Sequence, residues 1–383
     1  MLAYVDIKGL HAALHRVAPV APKKPTVPIL SSLLVEARET DGSVRITASD
    51  LDQRLTMRVD ASVVAGGSLA YPAEALTALI KNLPGDASQV ELSSSGGITA
   101  GKSQAVLTTE AGDIYPADMV GAPASRISEE AAGALADAIA ACLPAADKVA
   151  DPIRPQLAGL HLEAADDGVF AVALDGHRLH MVKLPEELRA VLADAGADGV
   201  VVPAAAAKVA ARLLREFAAG VSLGFANGRM QIASASAIYT ARLYDGGKEY
   251  PNWRQAMPEP KVSIQLWADE LERALMACQA VSDAVRPDLD PGVGATFLRL
   301  SAKGVQGKVS TALECGGLHS EQAFLRLSTP QLLQAISSGK DFLEGGYVSL
   351  QLSPDKVPAV LRAGAFTAIT MPIYAAEDDE EVD

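Results

Sequence analysis

The feature that most constrains this chain is an internal repeat. The segment PILSSLLVEA, Pro28 to Ala37, returns as PQLAGLHLEA, Pro155 to Ala164, and a weaker echo, GATFLRLSA, begins at Gly294. Other landmarks keep the same order. YPAEALTALIKNL from Tyr71 parallels VPAAAAKVAARLL from Val202 and STPQLLQAI from Ser328, and the Tyr115-Pro116 pair parallels Tyr250-Pro251. Three related units of roughly 125 residues follow, a domain-sized repeat rather than a solenoid period. The expected boundaries are 1–122, 123–259 and 260–383. With 383 residues, 49% of them hydrophobic, each unit has enough apolar side chain for its own core.

Within each unit the periodicities run helix, strands, helix, strands. Leu10, Leu14 and Val17 mark an amphipathic helix that Pro19 and Pro22 end. RLTMRVDASVV then alternates Leu55, Met57 and Val59 with polar residues, the period of a half-buried strand. Leu76, Leu79 or Ile80, and Leu83 mark a second helix, stopped by Pro84-Gly85. Leu135, Ile139 and Leu143, behind Ser128 and two glutamates, repeat the first helix; Val209, Leu213 and Phe217 repeat the second. The fold class expected is α+β, each unit being two helices packed on antiparallel sheet.

Several function classes fall away on composition. No run of eighteen apolar residues exists, so no membrane partner is expected, and the first residues mix charges and histidines through their apolar positions, unlike a secretory leader. Cys142, Cys278 and Cys315 are odd in number and far apart, which fits a reducing cytoplasm and small buried hydrophobes. A formal charge of −14 argues against holding nucleic acid by bulk attraction, but leaves room for a local basic stripe.

The stretch GGITAGKS, Gly96 to Ser103, fits the phosphate-loop pattern and raises the alternative of a P-loop nucleotide hydrolase. That chemistry needs a helix starting at Lys102-Ser103, whereas QVELSSS before it and QAVLTT after it read as strands, so a hairpin is expected. His177 and His180 would point to opposite faces of a strand, and His11 and His15 share a helix face without the acidic partner of a zinc protease. No nucleophile has a neighbouring base in a recognisable motif. Neither catalysis, a metal nor a cofactor is expected.

The segments KKPTVPILSSLLVEA, RPQLAGLHLEA, ALDGHRLHMVKLP, YPNWRQAMP and ITMPIY resemble the bacterial sliding clamps, the beta subunits of DNA polymerase III. The most specific is DGHRL, Asp175 to Leu179. The resemblance covers nearly the whole chain in order and is weakest from Val281 to Glu321. It implies three repeated clamp domains per subunit and a head-to-tail dimeric ring that encircles double-stranded DNA as a processivity factor. Enclosure replaces tight grip, so the lining needs only enough Lys and Arg to tolerate phosphates. The candidates are Lys208, Arg212 and Arg215 on one helix face, Lys81 on the equivalent helix of the first unit, Lys24, which with Arg16 and Lys23 lies on and just after the first helix, and the loop residue Arg154. A 4% aromatic content fits, since single-strand binders stack bases on aromatic platforms.

The resemblance also implies an apolar cleft that captures short peptide motifs of the polymerase III alpha subunit, the clamp loader and repair proteins. Its walls would be Leu157, Leu174, Gly176, His177, Arg178, Leu179, Pro251, Val357, Val360, Met371 and Pro372. Two departures from the family are Gln255, where an arginine is common, and Leu174, where a small hydroxyl residue is usual. The dimer interface would involve Leu107 and Val281. The last seven residues, six of them acidic, read as a solvated tail or as a competitor for the cleft. A clamp paralogue with altered partner choice is the remaining alternative.

Overall fold

The structure is a computed structural model that describes residues 1–83, 87–116, 119–148, 153–196, 198–244, 249–291, 296–315, 322–353 and 357–373. The Pro84-Gly85 stop, residues 292–295 and the acidic tail from residue 374 onward lie outside the described residues.

The repeat is visible in the order of elements. The first copy holds β1 (Leu2–Asp6), α1 (Ile7–Val17), β2 (Ser32–Arg38), β3 (Ser43–Ser49), β4 (Gln53–Ala65), β5 (Gly67–Pro72), α2 (Ala73–Lys81), β6 (Gln89–Ser93), β7 (Gly97–Ala100), β8 (Ser103–Val106) and a short β9 (Glu110–Ala111). The second holds β10 (Ser125–Arg126), α3 (Glu129–Cys142), β11 (Gly159–Ala165), β12 (Gly168–Leu174), β13 (Arg178–Leu184), a short α4 (Leu188–Leu192), β14 (Val200–Pro203), α5 (Ala204–Glu216), β15 (Ser222–Ala226), β16 (Arg229–Ala233) and β17 (Ala237–Arg242). The third holds β18 (Val262–Trp267), α6 (Ala268–Gln279), β19 (Ala284–Pro291), β20 (Thr296–Gly304), β21 (Gly307–Cys315), β22 (Gln322–Ala323), β23 (Arg326–Ser328), α7 (Thr329–Gly339), β24 (Tyr347–Leu352), β25 (Ala359–Ala363), β26 (Phe366–Thr370) and β27 (Pro372–Ile373). Short extras aside, each copy is strand, helix, four strands, helix, three strands.

The chain folds as two compact units, one of Met1–Glu129 with Glu216–Leu243 and one of Glu130–Arg215 with Tyr244–Asp383. In the first, the strand orders β5-β2-β3-β4 and β1-β6-β7-β8 meet through β4, whose thirteen residues pair with β1 near Ala65 and with β17 near Met57. Through β17 the sheet continues into β16, β15 and β10. Helix α1 starts on the Asp6 carboxylate, which accepts from the Gly9 N–H at 2.7 Å, and buries Leu10, Leu14 and Val17. Helix α2 buries Leu76 and Ile80; of the two residues left open at that turn, Ile80 faces in.

In the second unit, β14-β11-β12-β13 runs on into β26-β25-β24-β18, and β21-β20-β19-β23-β27 forms a separate six-stranded sheet with β22. The orders β14-β11-β12-β13 and β23-β19-β20-β21 repeat that of β5-β2-β3-β4. The third echo, GATFLRLSA, therefore falls on β20, the place of β3 and β12, and not on β19, which holds the place of β2 and β11. Its likeness is one of strand alternation, which adjacent strands share. Helix α5 buries Ala206, Ala207, Ala210, Ala211, Leu213 and Leu214, so its inner face is alanine-lined, and Val209 lies at its edge.

Candidate functional site

GGITAGKS forms the hairpin that its flanking sequence predicts. Gly97–Ala100 and Ser103–Val106 pair as a hairpin with Ala100 opposite Ser103, and Gly101 takes φ +57° in the two-residue turn. Lys102 stands exposed at its tip, and no helix begins there. Without a helix N-terminus the glycines have no phosphate to cradle. Hairpin strand β8 is the last of its sheet order, and Leu107 follows it half-buried while Val106 is exposed. In the second unit, Val281 follows α6, its N–H bonded to the Cys278 carbonyl at 3.0 Å.

The DGHRL segment is the turn between β12 and β13. The Asp175 carboxylate accepts from the backbone N–H groups of His177 (2.9 Å) and Arg178 (3.0 Å) and from the Arg178 Nε (2.9 Å). Gly176 takes φ +90°, a conformation that suits glycine at the head of a tight hairpin turn. Arg178 is a brace more than a wall, since its guanidinium also donates to Gln334 of α7.

From this turn the register builds an apolar row. Leu174 pairs with Leu179, Leu179 with Ile369, and Ile369 with Val360, so one face of four adjacent strands, β12, β13, β26 and β25, carries one side chain each. These four join Leu157, Phe170, Val172, Met181 and Trp253 in a single buried cluster, with Tyr250 and Met257 packed against it. Leu157 and Val360 are fully buried and Leu174 is 9% exposed, so Leu174 lies nearest solvent among the row. Around it Gly176, His177, Pro251 and Met371 are exposed. The Met371 N–H donates to the His177 carbonyl at 2.9 Å, which ties the strand after β26 to the turn. Pro372 and Val357 sit apart from this row: with Phe324, Leu325, Leu327 and Leu352 they line a second small pocket.

Ile369, Met181 and Trp253 are cluster members that sequence reasoning missed. Counting back by two from Met371 along a strand would have reached Ile369. The segment carrying Trp253 is held to β11 by Glu163, which accepts from Trp253 Nε1 (3.1 Å), Arg254 Nη1 (2.6 Å) and His161 Nε2 (3.1 Å). Burial pushes the Glu163 carboxyl up, but hydrogen bonds from His161 and Arg254 and their charges outweigh it and hold the group below its ordinary range. Arg254 also pairs with Asp167 and lies over the Trp253 ring at 4.2 Å, while Gln255 beside it is exposed.

Behind the turn, His180 is buried, with Nδ1 2.8 Å from the Ala141 carbonyl, and burial drives its pKa down to about 4. It is therefore a neutral core imidazole. Among the described residues no group of His, Cys, Asp or Glu could hold a metal ion. No helix of the described residues is long and apolar enough to cross a membrane.

The basic residues divide between the units. In the first, Lys24 and Lys81 are exposed, Lys23 lies 4.0 Å from Glu74, and Arg16 pairs with Glu216 at 2.5 Å. In the second, Lys208 and Arg154 are exposed, Arg212 is half-buried, and Arg215 is bound by Asp137 of α3 at 2.8 Å. The Arg154 guanidinium reaches the DGHRL turn: its Nη1 lies 3.7 Å from where a Cβ on Gly176 would stand.

A fold of three repeated α+β copies on antiparallel sheet, with a hairpin-anchored apolar row and exposed basic residues on its helices, has known counterparts. Residues 3–117 match the family model of the DNA polymerase III beta subunit N-terminal domain, and residues 134–252 match that of its central domain. Together the two span more than half of the chain. The beta sliding clamp of Synechococcus elongatus is 26% identical over 363 residues, covering 92% of each chain, and that of Caulobacter vibrioides 27% identical over 307 residues, covering 75% of this chain and 78% of that one. A crystal structure of the DNA polymerase sliding clamp from Caulobacter crescentus superposes with a TM-score of 0.84 at 21% identity, over 98% of this chain and all of that one. The Pseudomonas aeruginosa sliding clamp bound to griselimycin gives 0.83 at 21%, with the same coverage. The chain belongs to the DNA polymerase III beta subunit family, the beta sliding clamps, whose members are processivity factors.

Proposed function

We propose that this clamp closes as a head-to-tail homodimer around double-stranded DNA and acts in the cytoplasm as a non-enzymatic tether, with three domains per subunit at about 1–122, 123–259 and 260–383. What supports the ring is two sheet ends: β8 ends one sheet order and β21 ends another, Leu107 follows β8, and the Val281 carbonyl lies beside Gly304 at the turn from β20 into β21. A heterologous contact between the two edges closes after two copies. Lys24, Lys81, Arg154, Lys208, Arg212 and Arg215 would face phosphates. Arg215 would do so only in competition with Asp137, so the stripe is partly self-neutralised, as sliding without gripping requires.

Partner motifs from the polymerase alpha subunit, the clamp loader and repair proteins would enter between Met371 and the DGHRL turn. A leucine or phenylalanine of the motif would enter at Leu174, the end of the Leu174, Leu179, Ile369 and Val360 row nearest solvent, beside Gly176, His177, Arg178 and Pro251 and with the buried Leu157 behind. Pro372 and Val357 would flank the motif from the neighbouring small pocket, whose volume of about 10 Å³ is too small to take a side chain itself. The observation that carries this reading is the row itself, an apolar strip that ends at an exposed, hydrogen-bonded turn.

The test combines size and topology. The mass in solution is measured, the protein is loaded onto nicked circular duplex, and the DNA is then linearised. Loss of retention on cutting is expected. Retention that depends on salt alone, the same on circular and linear DNA, would exclude encirclement.

A further inference from the structure

On the outer face of the β19, β20 and β21 sheet the register brings small residues together. Arg286 pairs with Ser301 and Ser301 with Ser310, and Lys303 pairs with Lys308. Ala284 and Ser282 complete the floor, and the missing side-chain bulk leaves a cavity of about 380 Å³. Four cations stand around it: Arg286, Lys303, Lys308 and Arg326. On that face Asp288 lies 3.3 Å from Arg286, while Asp290 is paired with Arg299 at 2.6 Å. Lys303 and Lys308 are both exposed on the outer face of the hairpin. In a chain of net charge −14 this is a local reversal of sign.

An acidic segment follows the last strand of the same sheet in the sequence. The last strand in the order, β27, pairs Ile373 with Arg326, so the two side chains share the cavity's face of the sheet, and the chain leaves β27 at that point. Residues 377–383 read EDDEEVD. From β27 to β21 the order β27-β23-β19-β20-β21 makes four strand spacings, about 19 Å at the usual ~4.8 Å each. The ten residues after Ile373 span up to about 33 Å when extended. A short tether also sets an effective concentration on the order of millimolar, so a modest intrinsic affinity is enough to fill the site.

We propose that this cavity is a binding site for an acidic peptide and that its occupant is the chain's own segment Glu377–Asp383. The segment's carboxylates meet Lys303, Lys308, Arg286 and Arg326, and the apolar row beside the DGHRL turn stays free of it. The cavity shares strand β21, through Lys308 and Ser310, with the proposed ring-closing edge, but none of its residues is assigned to DNA or to the peptide row, and its test reads peptide binding without DNA.

The probe is a fluorescently labelled peptide, AEDDEEVD, followed by anisotropy at low salt. It is titrated against the full chain and against a full-length variant whose six tail carboxylates are changed to amides (Glu377→Gln, Asp378→Asn, Asp379→Asn, Glu380→Gln, Glu381→Gln, Asp383→Asn). The amide variant should bind the peptide at least tenfold more tightly than the native chain, whose own tail competes. Adding Lys303→Ser and Lys308→Ser to the amide variant should remove most of that binding, whereas adding Lys23→Ser and Lys24→Ser should not. Equal binding by the native and amide chains would mean that the cavity takes acidic segments from elsewhere, and would overturn the assignment. So would no binding to either chain, binding indifferent to Lys303 and Lys308, or displacement by inorganic phosphate at concentrations equal to the peptide's, the mark of a simple anion hole.

Discussion

Met371 donates its backbone N–H to the carbonyl oxygen of His177, and through that bond the strand ending at Thr370 and the turn opened by Asp175 become one edge. Neither segment forms the edge alone, since the turn supplies the exposed carbonyl and the strand supplies Ile369 beneath it.

The turn should therefore be sensitive to backbone chemistry. Gly176 at φ +90° tolerates a Cβ poorly, and Gly176→Ala is expected to cost about 1–2 kcal/mol of stability. Urea unfolding checks the cost, and a labelled leucine- and phenylalanine-containing peptide checks the site, with affinity falling several-fold. A variant of unchanged stability and affinity would show that the turn's conformation is not what holds the edge.

If the proposed DNA face is right, the Arg215 and Asp137 pair should restrain DNA affinity. Asp137→Asn frees the guanidinium at an exposed site, so the slope of log affinity against log salt for duplex should steepen by about 0.9 if one more phosphate is engaged. Lys208→Ala should flatten it by a similar amount. The measurement is a salt titration on short linear duplex, where threading contributes nothing.

Acid should destabilise the protein through His180. The unfolded imidazole titrates near 6.5, whereas burial holds the native one down at about 4. Between those values the unfolded chain binds a proton that the native state refuses, so stability falls as pH drops from about 6.5 to about 4 and levels off below. The contribution is on the order of 3 kcal/mol. His180→Gln, which can still donate to the Ala141 carbonyl, should be less stable at pH 7 yet lose less on acidification to pH 4.5. Parallel slopes for the two proteins would assign the acid sensitivity to other groups.

Lys102 is predicted to be dispensable. At the tip of a hairpin, it has no phosphate to bind, so Lys102→Ala should leave the melting curve unchanged, and neither protein should bind a fluorescent ATP analogue. Nucleotide binding abolished by that substitution would restore the hydrolase reading.

The sequence by itself determined the threefold repeat, the helix faces at Leu10, Leu14 and Val17 and the hairpin nature of GGITAGKS, because each is written in local periodicity or in turn chemistry; DGHRL stood out only through its resemblance to the clamp family. It did not determine that Ile369 lies between Leu179 and Val360, that GATFLRLSA takes the place of β3, or that Arg215 is held by Asp137. Those depend on strand register and on which helices meet, set by burial of side chains far apart along the chain. The cavity lined by Ser282, Ala284 and Ser301 is the clearest case: small residues on separate strands are unremarkable in order, and become a site only once pairing stacks them on one face.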